Sequence, residues 1–162
     1  MRCHNVSQEQ IKNHIDFLGK FINDIHAFET KILQSIRADY QISAEQSHVI
    51  SLLAYEKLLT LTEITEFQGV NKAAVSRRIK KLINLDMVKW TSDGPLEDKR
   101  YKYITLTEKG RSYVEHSKTV ISDLAQTMLS DLSIEEVDHV RQVLEIVDDR
   151  LNEYVNNYAQ HK

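Results

Sequence analysis

The amino-acid sequence reads as that of a mainly α-helical protein with one small β-hairpin. Three features carry this reading. Both ends of the chain keep apolar residues at helical spacing over long stretches, the middle breaks into three shorter helices bounded by capping signals, and the period then switches to alternation on either side of the single proline. Four glycines and one proline in 162 residues agree with a chain dominated by helices.

From Gln8 to about Arg37, Ile11, Ile15, Leu18, Ile22, Ile25, Ile32 and Ile36 form a helical stripe that Phe17, Phe21 and Phe28 widen. One helix of this length, roughly 45 Å at ~1.5 Å per residue, is too long to be covered by one small domain. A capping box from Ser43 to Gln46 opens a helix that runs through about Tyr55, and a second from Thr60 to Glu63 opens a short helix ending near Phe67. Gln68, Gly69 and Val70 make a tight connection, with Gly69 free to take a positive φ. Asn71 then caps a helix that continues to about Leu85. Val88 and Trp90 mark one strand and RYKYITL, Arg100 to Leu106, a second, with a turn at Gly94 in the polar SDGPLEDK between them. A helix starting at Thr107 carries Tyr113, Val120, Ile121, Leu124 and Met128. The last helix opens with a capping box from Ser133 to Glu136 and carries Val137, Val140, Leu144, Val147, Leu151 and Val155.

A short helix, a three-residue turn with glycine and a longer helix have helix-turn-helix spacing, and the hairpin that follows makes the unit a winged helix-turn-helix. Residues 1–40 are expected to form an N-terminal dimerisation helix, 41–106 the winged lobe, and 107–162 C-terminal dimerisation helices. Two copies whose terminal helices interdigitate would form one intertwined domain and cover the apolar stripes.

Charge separates the lobe from the rest. Residues 71–102 hold nine Lys or Arg against four Asp or Glu, a net of +5, whereas the remaining 12 basic and 20 acidic residues carry −8. A basic segment in an otherwise acidic chain points to a polyanionic partner, here double-stranded DNA. No run approaches the ~18 apolar residues of a membrane span, and MRCHNVSQEQ lacks an apolar leader core, so a cytoplasmic protein with no membrane partner is expected. The single Cys3 fits a reducing compartment. The histidines lack paired ligand spacing, so no metal site and no cofactor are expected. Motifs of nucleophilic, metal-dependent or phosphate-cradling catalysis are missing, so the chain is not expected to be an enzyme. A metal- or redox-sensing regulator on the same scaffold, and a dimer docking its basic helix on an acidic protein, remain the alternatives.

On the helix after Asn71, Val75, Ile79 and Leu82 share the inward face, while Ala73, Ser76, Arg77, Lys80 and Asn84 lie broadly opposite. Small residues near the start allow close approach to base edges in a major groove, and the cations further along contact guanine or phosphate. Asn71 is read as the cap, Ala73, Ser76 and Arg77 as nearest the bases, and Lys72, Arg78, Lys80 and Lys81 as phosphate contacts. At the hairpin tip, Asp98, Lys99 and Arg100 place a guanidinium where it enters an adjacent minor groove, steadied by a carboxylate.

This order of elements, with Asp98-x-Arg100 followed by L-T-E-K-G at Leu106 to Gly110, resembles the MarR family of dimeric winged-helix repressors. The resemblance implies a homodimer that binds a pseudo-palindromic operator and blocks transcription. It also implies release by small aromatic or anionic effectors, antibiotics among them, and a part in biofilm and antibiotic-response gene control. By position it makes Asn71 to Lys80 the recognition helix and Arg100 the wing arginine, and it places Asn23 and His26 in the region lining the effector pocket.

Overall fold

The computed structural model describes residues 8–92 and 102–160. Along the chain these form α1 (Gln8–Ile32), α2 (Gln34–Asp39), α3 (Ala44–Glu56), β1 (Leu59–Thr60), α4 (Leu61–Gln68), α5 (Lys72–Asn84), β2 (Val88–Thr91), β3 (Tyr103–Leu106), α6 (Glu108–Met128) and α7 (Ile134–Gln160). The protein is mostly helical, with one three-stranded antiparallel sheet in the order β1-β3-β2.

The single first helix expected from the sequence is in fact two. It breaks at Leu33, whose side chain is buried in the core. The Arg37 guanidinium donates to the Thr30 carbonyl, the group that residue 34 would use in an uninterrupted helix. Periodicity continues across the break, so the stripe alone does not reveal it.

All three expected capping boxes form. The Ser43 hydroxyl accepts from the Gln46 amide at 3.3 Å while the Gln46 side chain accepts from the Ser43 amide at 2.9 Å. The Thr60–Glu63 pair repeats the exchange at 3.2 and 2.6 Å, and Ser133–Glu136 at 3.2 and 2.8 Å. Each exchange satisfies two of the amides a helix start leaves without partners.

β1 is not among the expected elements. Its two residues pair Leu59 with Ile104 and Thr60 with Tyr103, while β2 and β3 pair from Val88–Leu106 to Thr91–Tyr103. The second strand of the hairpin starts at Tyr103 rather than Arg100, since Lys102 lies outside it and 93–101 are not described.

The chain divides into two compact units, one through Ile121 and the other from Ser122. In the first, Val49, Ile50, Leu53, Ile64, Val75, Ile79, Leu82, Met87, Val88 and Ile104 form a core at most 2% exposed. Tyr113 of α6 joins it, its hydroxyl 2.7 Å from that of Ser47 in α3, so the buried polar ends satisfy each other. The second unit holds the end of α6 and α7, whose apolar row Val140, Leu144, Val147 and Leu151 is exposed.

Candidate nucleic-acid interface

The reading head is built by its two turns. Gly69 closes α4 in the left-handed conformation (φ 60°, ψ 25°), and its amide reaches the carbonyls of Thr65 and Glu66. A Cβ there would meet nothing, so backbone conformation alone favours glycine. Asn71 follows in extended conformation, and its side-chain oxygen accepts from the Ala74 amide at 2.8 Å. Its role as N-cap is therefore met, and that oxygen is engaged within the protein.

From this start α5 divides as its sequence requires. Val75, Ile79 and Leu82 are buried, whereas Lys72, Ala73, Ser76, Arg77, Lys80, Lys81 and Asn84 are exposed. Arg78 differs from the other cations. It is half-buried and donates to the side-chain oxygen of Gln68, the last residue of α4, at 2.6 Å. Gln68 in turn donates to the Glu45 carbonyl in α3 at 3.2 Å. Sequence reasoning places Gln68 only in the turn; a polar side chain at the end of the first helix, one turn from a basic second helix, is the available signal.

Glu45 sits in the first turn of α3. The Ser43 hydroxyl beside it and its own backbone amide, with lesser help from the charges of Arg78 and Arg37, hold its carboxyl below the ordinary carboxylate value against the opposing effect of burial.

The L-T-E-K-G motif proves to be a fastening. The Thr107 amide donates to Met87 O at 3.1 Å, its hydroxyl donates to Asp86 O, and Lys109 Nζ donates to Leu85 O at 2.9 Å. These are the carbonyls of the connection between the end of α5 and β2. The Gly110 amide donates to the Thr107 hydroxyl, and a Cβ on Gly110 would lie 2.2 Å from Met87 O. The start of α6 is thereby clamped against the end of the reading helix, and only glycine permits the approach.

Asp98, Lys99 and Arg100 fall outside the described residues. Asn23 and His26 are exposed on α1. A partly open pocket in the unit that ends at Ile121, about 190 Å3, takes Glu29 of α1 and Leu33, with Ser47 and Tyr55 of α3 and Ser117 and Lys118 of α6. The Ser117 hydroxyl is buried there without a hydrogen-bond partner among the described residues. No motif in the sequence marks these residues, because separate helices bring them together.

Comparison with known proteins agrees with this architecture. Residues 44–110 match the winged helix DNA-binding domain family. The HTH-type transcriptional regulator TcaR of Staphylococcus aureus is 46% identical over 149 residues, covering 92% of this chain and 98% of TcaR. Among solved structures, a mutant of MepR from a multidrug-resistant S. aureus clinical isolate matches with a TM-score of 0.68 and 25% identity, covering 85% of this chain and 96% of that one. The reduced form of MarR from E. coli matches with a TM-score of 0.60 and 25% identity, over 80% and 95% of the two chains. Nearly end-to-end similarity to one such regulator, on a fold shared with MarR, means that the chain belongs to the MarR family of winged-helix transcriptional regulators, DNA-binding proteins rather than enzymes.

Proposed function

We propose that the protein is a cytoplasmic, homodimeric repressor that sets its two α5 helices in successive major grooves of a pseudo-palindromic operator, ~34 to 36 Å apart. The observation that carries this reading is the division of α5, with its apolar face sealed in the core and a row of small and cationic side chains left outward. Ala73, Ser76 and Arg77 face the bases; Lys72, Lys80 and Lys81 lie at phosphates with Arg78, and Asn71 sets the start of the helix. Asp98, Lys99 and Arg100 complete the contact from the wing.

Dimerisation is supported by the outer faces of the terminal helices. Ile15, Leu18, Ile22 and Ile25 on α1 are 48 to 59% exposed, and Val140, Leu144, Val147 and Leu151 on α7 are 46 to 58% exposed. Fully burying one such side chain contributes roughly 1.5 to 3 kcal/mol, so a second copy is the natural cover. In the dimer, 1–40 and 107–162 serve assembly and 41–106 form the DNA-binding lobe.

Release by a small aromatic or anionic effector, antibiotics included, is the regulation we assign, with Asn23 and His26 in the effector region. The unpartnered Ser117 hydroxyl and the Lys118 ammonium beside a mostly apolar space support a ligand with an apolar body and a polar or anionic end. Antibiotic-response and biofilm genes are the targets that the family resemblance suggests.

Salt-dependent binding to duplex DNA from upstream of its own gene tests the reading. Arg77→Ala should weaken binding tenfold or more and relax base preference at one position, about 1 to 3 kcal/mol. Unchanged retention of this variant on that DNA would contradict the assignment of α5.

A further inference from the structure

Gln68 reaches two other helices at once. Its amide nitrogen donates to the Glu45 carbonyl in the first turn of α3, and its amide oxygen accepts from Arg78 Nη1 in α5. A guanidinium only donates and a carbonyl only accepts, so the amide has one workable orientation. Rotated by half a turn, it would set its NH2 against the guanidinium and its oxygen against the carbonyl. The helices α3, α4 and α5 are therefore joined through a single side chain whose two ends cannot be exchanged.

What that side chain holds is the half-buried cation on α5. Arg78, Arg77 and Lys81 line an open cleft of about 290 Å3 between α5 and the start of α3, with Ala74, Ser43 and Gln46 completing it. Among the described residues, no carboxylate lines the cleft. The nearby Glu45 carboxylate is engaged by Ser43 and by its own amide, and it feels the Arg78 charge more weakly. Ser43 and Gln46 are closed on each other by their capping box. Three positive charges around a space open to solvent fit a tetrahedral dianion or diester, and on a DNA-binding helix that group is a backbone phosphate.

We propose that Gln68 is a positioning residue for DNA binding: it fixes the Arg78 guanidinium against α4, so that its remaining N–H groups, with Arg77 and Lys81, seat one phosphate of the DNA backbone in the cleft beside α3. A free arginine would have to surrender its rotamer freedom on contact with DNA; this one is held beforehand. The proposal rests on α5 being the helix that meets DNA.

The test is a double-mutant cycle on the full-length protein, with a labelled duplex from upstream of its own gene titrated at several salt concentrations. Arg78→Ala should weaken binding and flatten the slope of log K against log salt by about 0.9 for each α5 on the DNA, because one phosphate contact per helix is lost. Arg78→Lys should restore the slope but not the affinity, since an ammonium neutralises the phosphate without the planar fork. Gln68→Met keeps length and volume but removes both hydrogen bonds. It should weaken binding about three- to tenfold with the slope unchanged, and less than about twofold when introduced into Arg78→Ala. Equal weakening in both backgrounds would show that Gln68 acts through the fold and overturn the proposal. So would an unchanged slope in Arg78→Ala, and this result decides the matter alone if Gln68→Met melts too low to assay. Failure of the unaltered protein to bind the duplex would instead remove the reading of α5 on which the proposal stands.

Discussion

Two sets of apolar side chains in this chain share the same helical spacing and meet opposite fates. Val75, Ile79 and Leu82 of α5 are at most 2% exposed, whereas Ile15, Leu18 and Ile22 of α1 are 48 to 59% exposed. The winged lobe finds its partners close by, through α3, α4, the sheet and the start of α6. The apolar rows on the outer faces of α1 and α7 stay about half exposed. The lobe buries its apolar faces within the chain, and we read the terminal helices as half of an interface.

The largest effect expected from testing this contrast lies in the lobe. Leu82→Ala removes a fully buried side chain and should lower the unfolding free energy by about 2 to 5 kcal/mol, read from the urea midpoint. Ile22→Asp, on the exposed α1 face, should leave the melting of the lobe nearly unchanged but halve the mass measured by sedimentation, since a dimer interface tolerates an unpaired buried charge poorly. If Ile22→Asp stayed dimeric, the α1 face would not be the interface and the contrast would need another cause.

Smaller effects sharpen the picture of the lobe. Asn71→Ala should cost ~1 kcal/mol in thermal denaturation, because the Ala74 amide loses its partner. Glu45→Gln should flatten the acid limb of the stability profile. The Glu45 carboxyl is held below its ordinary value of 4.5, so its contribution is complete above that value and disappears as pH falls through the lowered one. Solvent screens this exposed group, so the change should be about 0.5 kcal/mol or less.

Much of the lobe is legible in the chain itself. The capping boxes, Gly69, Asn71 and the inward triad of α5 depend on contacts within four residues along the chain, and local chemistry specifies such contacts almost completely. The break at Leu33 is not legible, because an arginine seven residues from the carbonyl it captures leaves no mark in hydrophobic period. Nor is β1, a two-residue strand whose existence depends on pairing with the distant β3.

The candidate interface divides along the same line. Which residues of α5 point outward and which are sealed follows from the order of amino acids alone, since a step of about 100° per residue leaves little choice once three apolar positions align. That Arg78 is held by Gln68, itself tied to Glu45, while its neighbour Arg77 stands exposed, emerges only when three helices pack together. The fastening of α6 to the end of α5 by Thr107, Lys109 and Gly110 is of the same kind. A cation's role depends on the donors and acceptors around it, and packing brings those from segments that periodicity treats as unrelated.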